Sequence, residues 1–336
     1  MDRSVSIYPI AVLAWLSAVG GSAAQWTKEK VRPPATEGSA AFSPDGRSLA
    51  VLDGKGAVHV WDVATGKKSK KISLDVSPDE SAERVRYTPD GELTILLCRY
   101  SEFASGPGWF RQGTISARLW KVFSRRKSPL VEVGYGGLAI CPRGELLAYG
   151  DGLWEVPTGK KVRKVALPEG WIFHIQFSSD GKKVLYQISE GLAQDVAILF
   201  VADATTGKEL LQIGKIDLNE YCFYFGGRFS ADGGLLACSQ GDSRPNLHLW
   251  DLTARKLVRS IPLAEAEEIV GFSPDSRAFV SWRRPNGGLH IWETATGKQR
   301  RATRVQAHLD DVLLSPDGKT VALRAGMAIE FSSLDD

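Results

Sequence analysis

Apolar residues in this chain come in short runs separated by turn-forming clusters. Leu49-Ala50-Val51-Leu52 follows Ser43-Pro44-Asp45-Gly46, and Val58-His59-Val60-Trp61 lies between Asp53-Gly54-Lys55-Gly56 and Ala64-Thr65-Gly66-Lys67. The first cluster fits a type I turn position by position. Serine accepts hydrogen bonds at the first position, proline presets φ at the second, aspartate suits the third and glycine the fourth. The second cluster is a hairpin-type breaker. The run ending in Trp61 is rich in β-branched and aromatic residues, as a strand should be. The pattern predicts three short antiparallel strands, with a fourth after Lys67.

The unit recurs to the C-terminus. Its first turn returns at Thr88-Pro89-Asp90-Gly91, Cys141-Pro142-Arg143-Gly144, Ser178-Ser179-Asp180-Gly181, Ser230-Ala231-Asp232-Gly233, Ser273-Pro274-Asp275-Ser276 and Ser315-Pro316-Asp317-Gly318. That makes seven copies, 37 to 53 residues apart. The second element returns at Trp120-Lys121, Trp154-Glu155, Ala202-Asp203, Trp250-Asp251 and Trp292-Glu293, and the seventh copy has only Ile329-Glu330-Phe331-Ser332.

With these paired elements in order, the chain from Gln25 to Asp336 resembles a divergent WD-repeat β-propeller of the secreted bacterial type. Such repeats run about 40–45 residues and form four strands per blade. The resemblance implies an all-β fold: a seven-bladed β-propeller of four-stranded antiparallel blades. The Gly-His dipeptide of such repeats is missing, and only Ala307-His308 is similar to it. The buried His–Ser/Thr–Asp–Trp network of well-formed blades is therefore expected to be incomplete in most blades. The seventh copy stops after three strands, so Trp26–Val31 is expected to supply its fourth and close the ring.

Composition adds bounds. The 336 residues are 43% hydrophobic and 24% charged, as in ordinary globular proteins. A net charge of +3 gives no case for nucleic acid as a partner. Met1 to Ala24 reads as a signal peptide: Arg3, then a mostly apolar Val5–Val19, then Ser22-Ala23-Ala24 before Gln25. The domain is then 25–336, secreted or periplasmic, with no membrane span after signal removal, and a monomer is expected. The four cysteines lack C-x-x-C spacing. An oxidising compartment permits disulfides, with Cys222 and Cys238, closest in sequence, the first pair to test.

No nucleophile elbow, zinc-protease motif, EF-hand or P-loop is present. No cofactor or metal is expected, and the acids of the turns are explained by turn formation. His59, His248 and His290 each stand two residues before a motif tryptophan. Equivalent positions in different blades are spread around a ring, so descent of the repeat accounts for them better than a metal site. Basic clusters at Lys67–Lys71, Arg125–Lys127, Lys160–Lys164 and Arg300–Arg304 fall on the expected outermost strands. There lysines block edge-to-edge pairing; the other reading is a rim for an acidic polymer or lipid surface.

In this fold the regular turns lie on one face and irregular loops on the other. The irregular loops are Tyr100–Ser116, Leu167–Trp171, Asp217–Gly227 and Trp282–Asn286. They carry Phe103, Trp109, Phe110, Arg111, Trp171, Tyr221, Phe223, Trp282, Arg283 and Arg284, residue types enriched at interface hot spots. The alternative is that these aromatics cap the blades' own cores. The expected function is a non-catalytic scaffold that binds an unidentified protein or peptide through this face. Two others stay open: a propeller enzyme, lactonase-like or quinone-cofactor dehydrogenase-like, with its site at the channel mouth, and a cell-envelope structural protein.

Overall fold

The computed structural model describes residues 40–53, 56–100, 115–133, 137–190, 196–217, 226–240, 245–283, 288–303, 309, 311–325 and 327–334. They form seven antiparallel sheets in chain order, each strand pairing with the next. Blade 1 runs Ala40–Phe42, Ser48–Leu52, Ala57–Asp62 and Lys67–Ser73 from the ring's centre outward. Blade 2 begins Glu80–Tyr87, Leu93–Tyr100 and Ile115–Lys121; two short strands, Arg126–Lys127 and Val131–Val133, share its outer position. The inner strands of blades 3 to 7 are Leu138–Ile140, Trp171–Phe177, Gly227–Phe229, Glu268–Phe272 and Asp311–Leu314. Blade 7 has three strands among the described residues. The expected closing strand and the signal peptide both lie outside the described residues.

Burial of both faces of each sheet explains the apolar runs. Leu49 and Val51 pack with Ala322 of blade 7, whereas Ala50 and Leu52 pack with Leu93, Ile95 and Leu97 of blade 2. A strand covered on both faces reads as continuous hydrophobicity rather than alternation. Each of the seven core clusters spans one pair of neighbouring blades. The cluster between blades 7 and 1 closes the ring, with Phe42 tilted against Phe331 at 6.4 Å. The chain is therefore a seven-bladed β-propeller.

The regular turns are held by their own side chains. Ser43 Oγ donates to Asp45 Oδ1 (2.6 Å) and accepts from the Ser48 amide (2.9 Å). Ser178, Ser230, Ser273 and Ser315 repeat both bonds. Each turn ends in a left-handed residue, and six of the seven are glycine, from Gly46 (φ 70°) to Gly318 (φ 71°); blade 6 has Ser276 (φ 57°). Motif acids and glycines are thus consumed in turning the chain.

The outer strand of blade 1, Lys67–Ser73, is exposed at all but one residue. Its lysines are not all idle. Lys68 lies over Trp61, Lys127 over Trp120 and Lys161 over Trp154, with Nζ 4.9–6.0 Å from the ring centroid. The tryptophan of the third strand is thereby roofed by a cationic stem from the fourth. This gives the basic clusters a structural role beyond edge protection.

Cys222, one partner of the disulfide expected as the first to test, lies outside the described residues. Cys98, Cys141 and Cys238 are free, buried thiols, and Cys238 is fully buried in the core between blades 4 and 5. Burial pushes the Cys98 and Cys238 thiols up to about 12.

Candidate functional site

In four blades the residue two before the motif tryptophan is a polar side chain that latches onto a partner in its own blade. In blade 1, His59 Nε2 lies 2.9 Å from Asp53 Oδ2. In blade 5, His248 Nε2 lies 2.8 Å from Gln240 Oε1. Blade 2 puts Arg118 there, donating to Glu80 Oε2 (2.7 Å) and ion-paired with Oε1 (2.6 Å). Blade 6 puts His290 there, 2.7 Å from Glu267 Oε1. The histidines are thus held separately in three blades, as repeat descent implies. No cluster of metal-ligating side chains occurs among the described residues.

Blade 6 extends its latch into a buried network. Trp292 Nε1 donates to Ser281 Oγ (2.7 Å), and Ser281 donates to Glu267 Oε2. Glu267, Ser281, Trp292 and His290 are all at most 8% exposed. A carboxylate that enters ahead of the inner strand does the work that the missing Gly-His histidine was expected to do. In blade 5, Cys238 occupies the place of Ser281, and in blade 4 Tyr186 does, as the shared spacing from the first turn shows. Burial raises the Tyr186 hydroxyl above its ordinary value, with Asp151 adding to the effect.

The loop residues named from sequence fall into three groups. Phe103, Trp109, Phe110, Arg111, Tyr221, Phe223 and Arg284 lie outside the described residues. Trp282 is corrected: it is the last residue of blade 6's second strand, 3% exposed, in the core with Val312 and Val321. It caps its own core because the strand continues one residue further than the turn signal suggested. Arg283, just beyond it, is partly buried and bridges Glu265 (3.4 Å) and Glu267 (3.5 Å). Trp171 is also corrected in place. It opens the inner strand of blade 4 rather than ending a loop, and its side chain is 39% exposed. Gly170 before it has φ +147°, and a Cβ there would collide with the Ser189 carbonyl and Ile188. Glycine is therefore required for the chain to enter the sheet beneath Trp171.

Sequence reasoning missed Glu80, Glu267 and the arginines Arg84 and Arg86 of blade 2's inner strand. One signal was available. Glu80–Tyr87 carries charges at the place where blades 1 and 3 have Ala40-Ala41-Phe42 and Leu138-Ala139-Ile140.

No known family model matches the sequence, and no curated protein matches it by sequence. Solved structures do match in fold. A chain of the crystal structure titled "Crystal Structure of Mitotic Checkpoint Complex" superposes with a TM-score of 0.62 at 16% identity, covering 95% of this chain and 99% of that one. Hydrazine synthase of Kuenenia stuttgartiensis superposes with a TM-score of 0.64 at 15% identity, covering 94% of this chain and 99% of that one. Identities this low establish the propeller fold alone. One neighbour is an assembly and the other an enzyme, so neither decides function.

Proposed function

We propose that this propeller, a divergent WD-like one, is a non-catalytic interaction scaffold. It is a monomer in an exported compartment and binds a protein or peptide through its irregular-loop face. The observation that carries the reading is Trp171. A large aromatic, 39% exposed, stands at the start of an inner strand and is fixed there by the constrained Gly170. Rigid, part-exposed tryptophans of this kind are the anchors that dominate binding energy at protein interfaces. Part-exposed ion pairs at the same end, Arg99–Asp79 (2.8 Å) and Arg283–Glu265 (3.4 Å), would form the polar surround. Export rests on the Met1–Ala24 segment, and no helix among the described residues is long and apolar enough to cross a membrane.

The test is affinity capture from the exported fraction, followed by titration of the purified captured partner. Trp171→Ala should weaken that partner at least about tenfold, the loss typical of a hot-spot residue. Unchanged affinity in the folded variant, or the absence of any saturable partner, would overturn the reading.

A further inference from the structure

Arg84 and Arg86 are two residues apart on the inner strand of blade 2, so they share a face of the sheet. Val85 and Tyr87 pack toward blade 1, and the arginines face blade 3. Arg84 Nη1 donates to the Leu138 carbonyl (2.7 Å), and Arg86 Nη1 donates to the Ile140 carbonyl (2.6 Å). Both acceptors belong to blade 3's inner strand, which pairs with a neighbouring strand on one side only and turns its other edge to the ring's centre. Carbonyls two residues apart on a strand place the two guanidinium groups about 7 Å from one another.

Neutral carbonyls satisfy donors but not charge. Arg86 is partly buried, and among the described residues no carboxylate pairs with it. Burial first, and also the like charge of Arg84, hold its guanidinium below the ordinary arginine value, against an opposing pull from Cys141. The fold does not demand this arrangement. At the same distance before the turn, the flanking blades 1 and 3 have Ala41 and Ala139, whereas blade 5 repeats an arginine, Arg228. A guanidinium carries five donors, and Arg86 spends one of them on Ile140.

We infer that this arginine pair at the inner wall of the ring, between blades 2 and 3, binds a small doubly charged oxyanion of phosphate size. Paired guanidinium groups suit such an anion because several short charge-assisted bonds can form at once. The anion would supply the counter-charge that the protein's own side chains do not give Arg86. The site is separate from the irregular-loop face and does not depend on the scaffold reading.

The experiment is isothermal titration of the purified protein with sodium phosphate and, separately, with glycerol phosphate, at constant ionic strength set by sodium chloride. Saturable binding of phosphate is expected. Binding of both probes points to the phosphoryl group of a larger ligand, and binding of phosphate alone points to the free anion. Arg86→Gln keeps a donor for the Ile140 carbonyl and removes the charge; it should weaken phosphate at least tenfold. Arg126→Gln, on the exposed outer strand, should leave it unchanged. Thermal unfolding separates this from a purely structural role: the wild type should gain stability in phosphate over chloride, and Arg86→Gln should not. Should Arg86→Gln fail to fold, Arg84→Gln serves in its place. No saturable binding, equal affinity in the arginine variant, or an equal loss in Arg126→Gln would overturn the inference.

Discussion

Glu267→Ala tests whether the buried network of blade 6 holds that blade together. Glu267, 4% exposed, accepts from the fully buried Ser281 hydroxyl and from His290, and Arg283 lies 3.5 Å away. Truncation leaves the serine hydroxyl and the imidazole with no acceptor. Each stranded group costs about 1–3 kcal/mol. Removing a buried carboxylate returns part of this, because its own desolvation penalty disappears. The net loss is about 2–4 kcal/mol. For a domain of this size that corresponds to a fall in Tm on the order of 3–6 °C. Differential scanning calorimetry and urea unfolding, each compared with Glu265→Ala, give the readout. Glu265 has a side chain 64% exposed and reaches only Arg283, so its loss should stay within about 0.5 kcal/mol. A double-mutant cycle of Glu267→Ala with Ser281→Ala should show coupling of about 1–2 kcal/mol. If Glu267→Ala unfolds like Glu265→Ala, the latch contributes nothing and the stability of blade 6 rests on apolar packing alone.

Two further predictions concern the turns. Ser276→Gly places glycine where the other six first turns already have it. It relieves a left-handed serine costing about 1–2 kcal/mol, against a glycine entropy penalty of about 0.5–1 kcal/mol. A net gain of about 0.5–1 kcal/mol in urea unfolding is expected, and a loss would show that the serine side chain is needed. Asp45, Asp90, Asp232, Asp275 and Asp317 are held below the ordinary carboxylate range, first of all by the hydroxyls of Ser43, Thr88, Ser230, Ser273 and Ser315. A folded pKa below the unfolded value stabilises above the unfolded pKa and is lost as pH falls through the folded one. Stability should therefore drop as pH falls below the unfolded value of about 3.8, and replacing the five hydroxyl residues by alanine should flatten that drop. An unchanged slope would refute the assignment.

The ring was legible in the sequence because its signals are local. A Ser-Pro-Asp-Gly turn is closed by bonds spanning two to five residues. The Trp–Lys roofing joins partners on adjacent strands, Trp61 and Lys68. The latches were half legible. The shared position of His59, His248 and His290 shows in the repeats, but their partners stand 6, 8 and 23 residues away in differing chemistries. Glu80 and Arg118, separated by 38 residues, belong to no motif and meet only across the second strand of blade 2, which pairs with both of their strands. Trp282 was misread because a strand's last residue and a loop's first look alike in composition. Its burial is decided by blade 7, which contributes Val312 and Val321.

These partnerships change what variation among the seven copies means. From sequence alone, function should lie wherever the copies disagree. Yet the latch position disagrees freely, with histidine, arginine or other residues, and four of its occupants have found a partner of matching chemistry within 3 Å. Such disagreement is compensated inside the blade and needs no ligand. Two departures are different in kind. Arg86 sets a partly buried charge against neutral carbonyls where adjacent blades have alanine. Trp171 leaves 39% of a large aromatic in water at the end of a strand held by a glycine that cannot be replaced without collision. A charge without its counter-charge and an apolar surface without its cover are costs the fold itself does not require. That makes them, rather than the repeated acids, histidines or lysines, the places where a molecule from outside the chain would complete the structure.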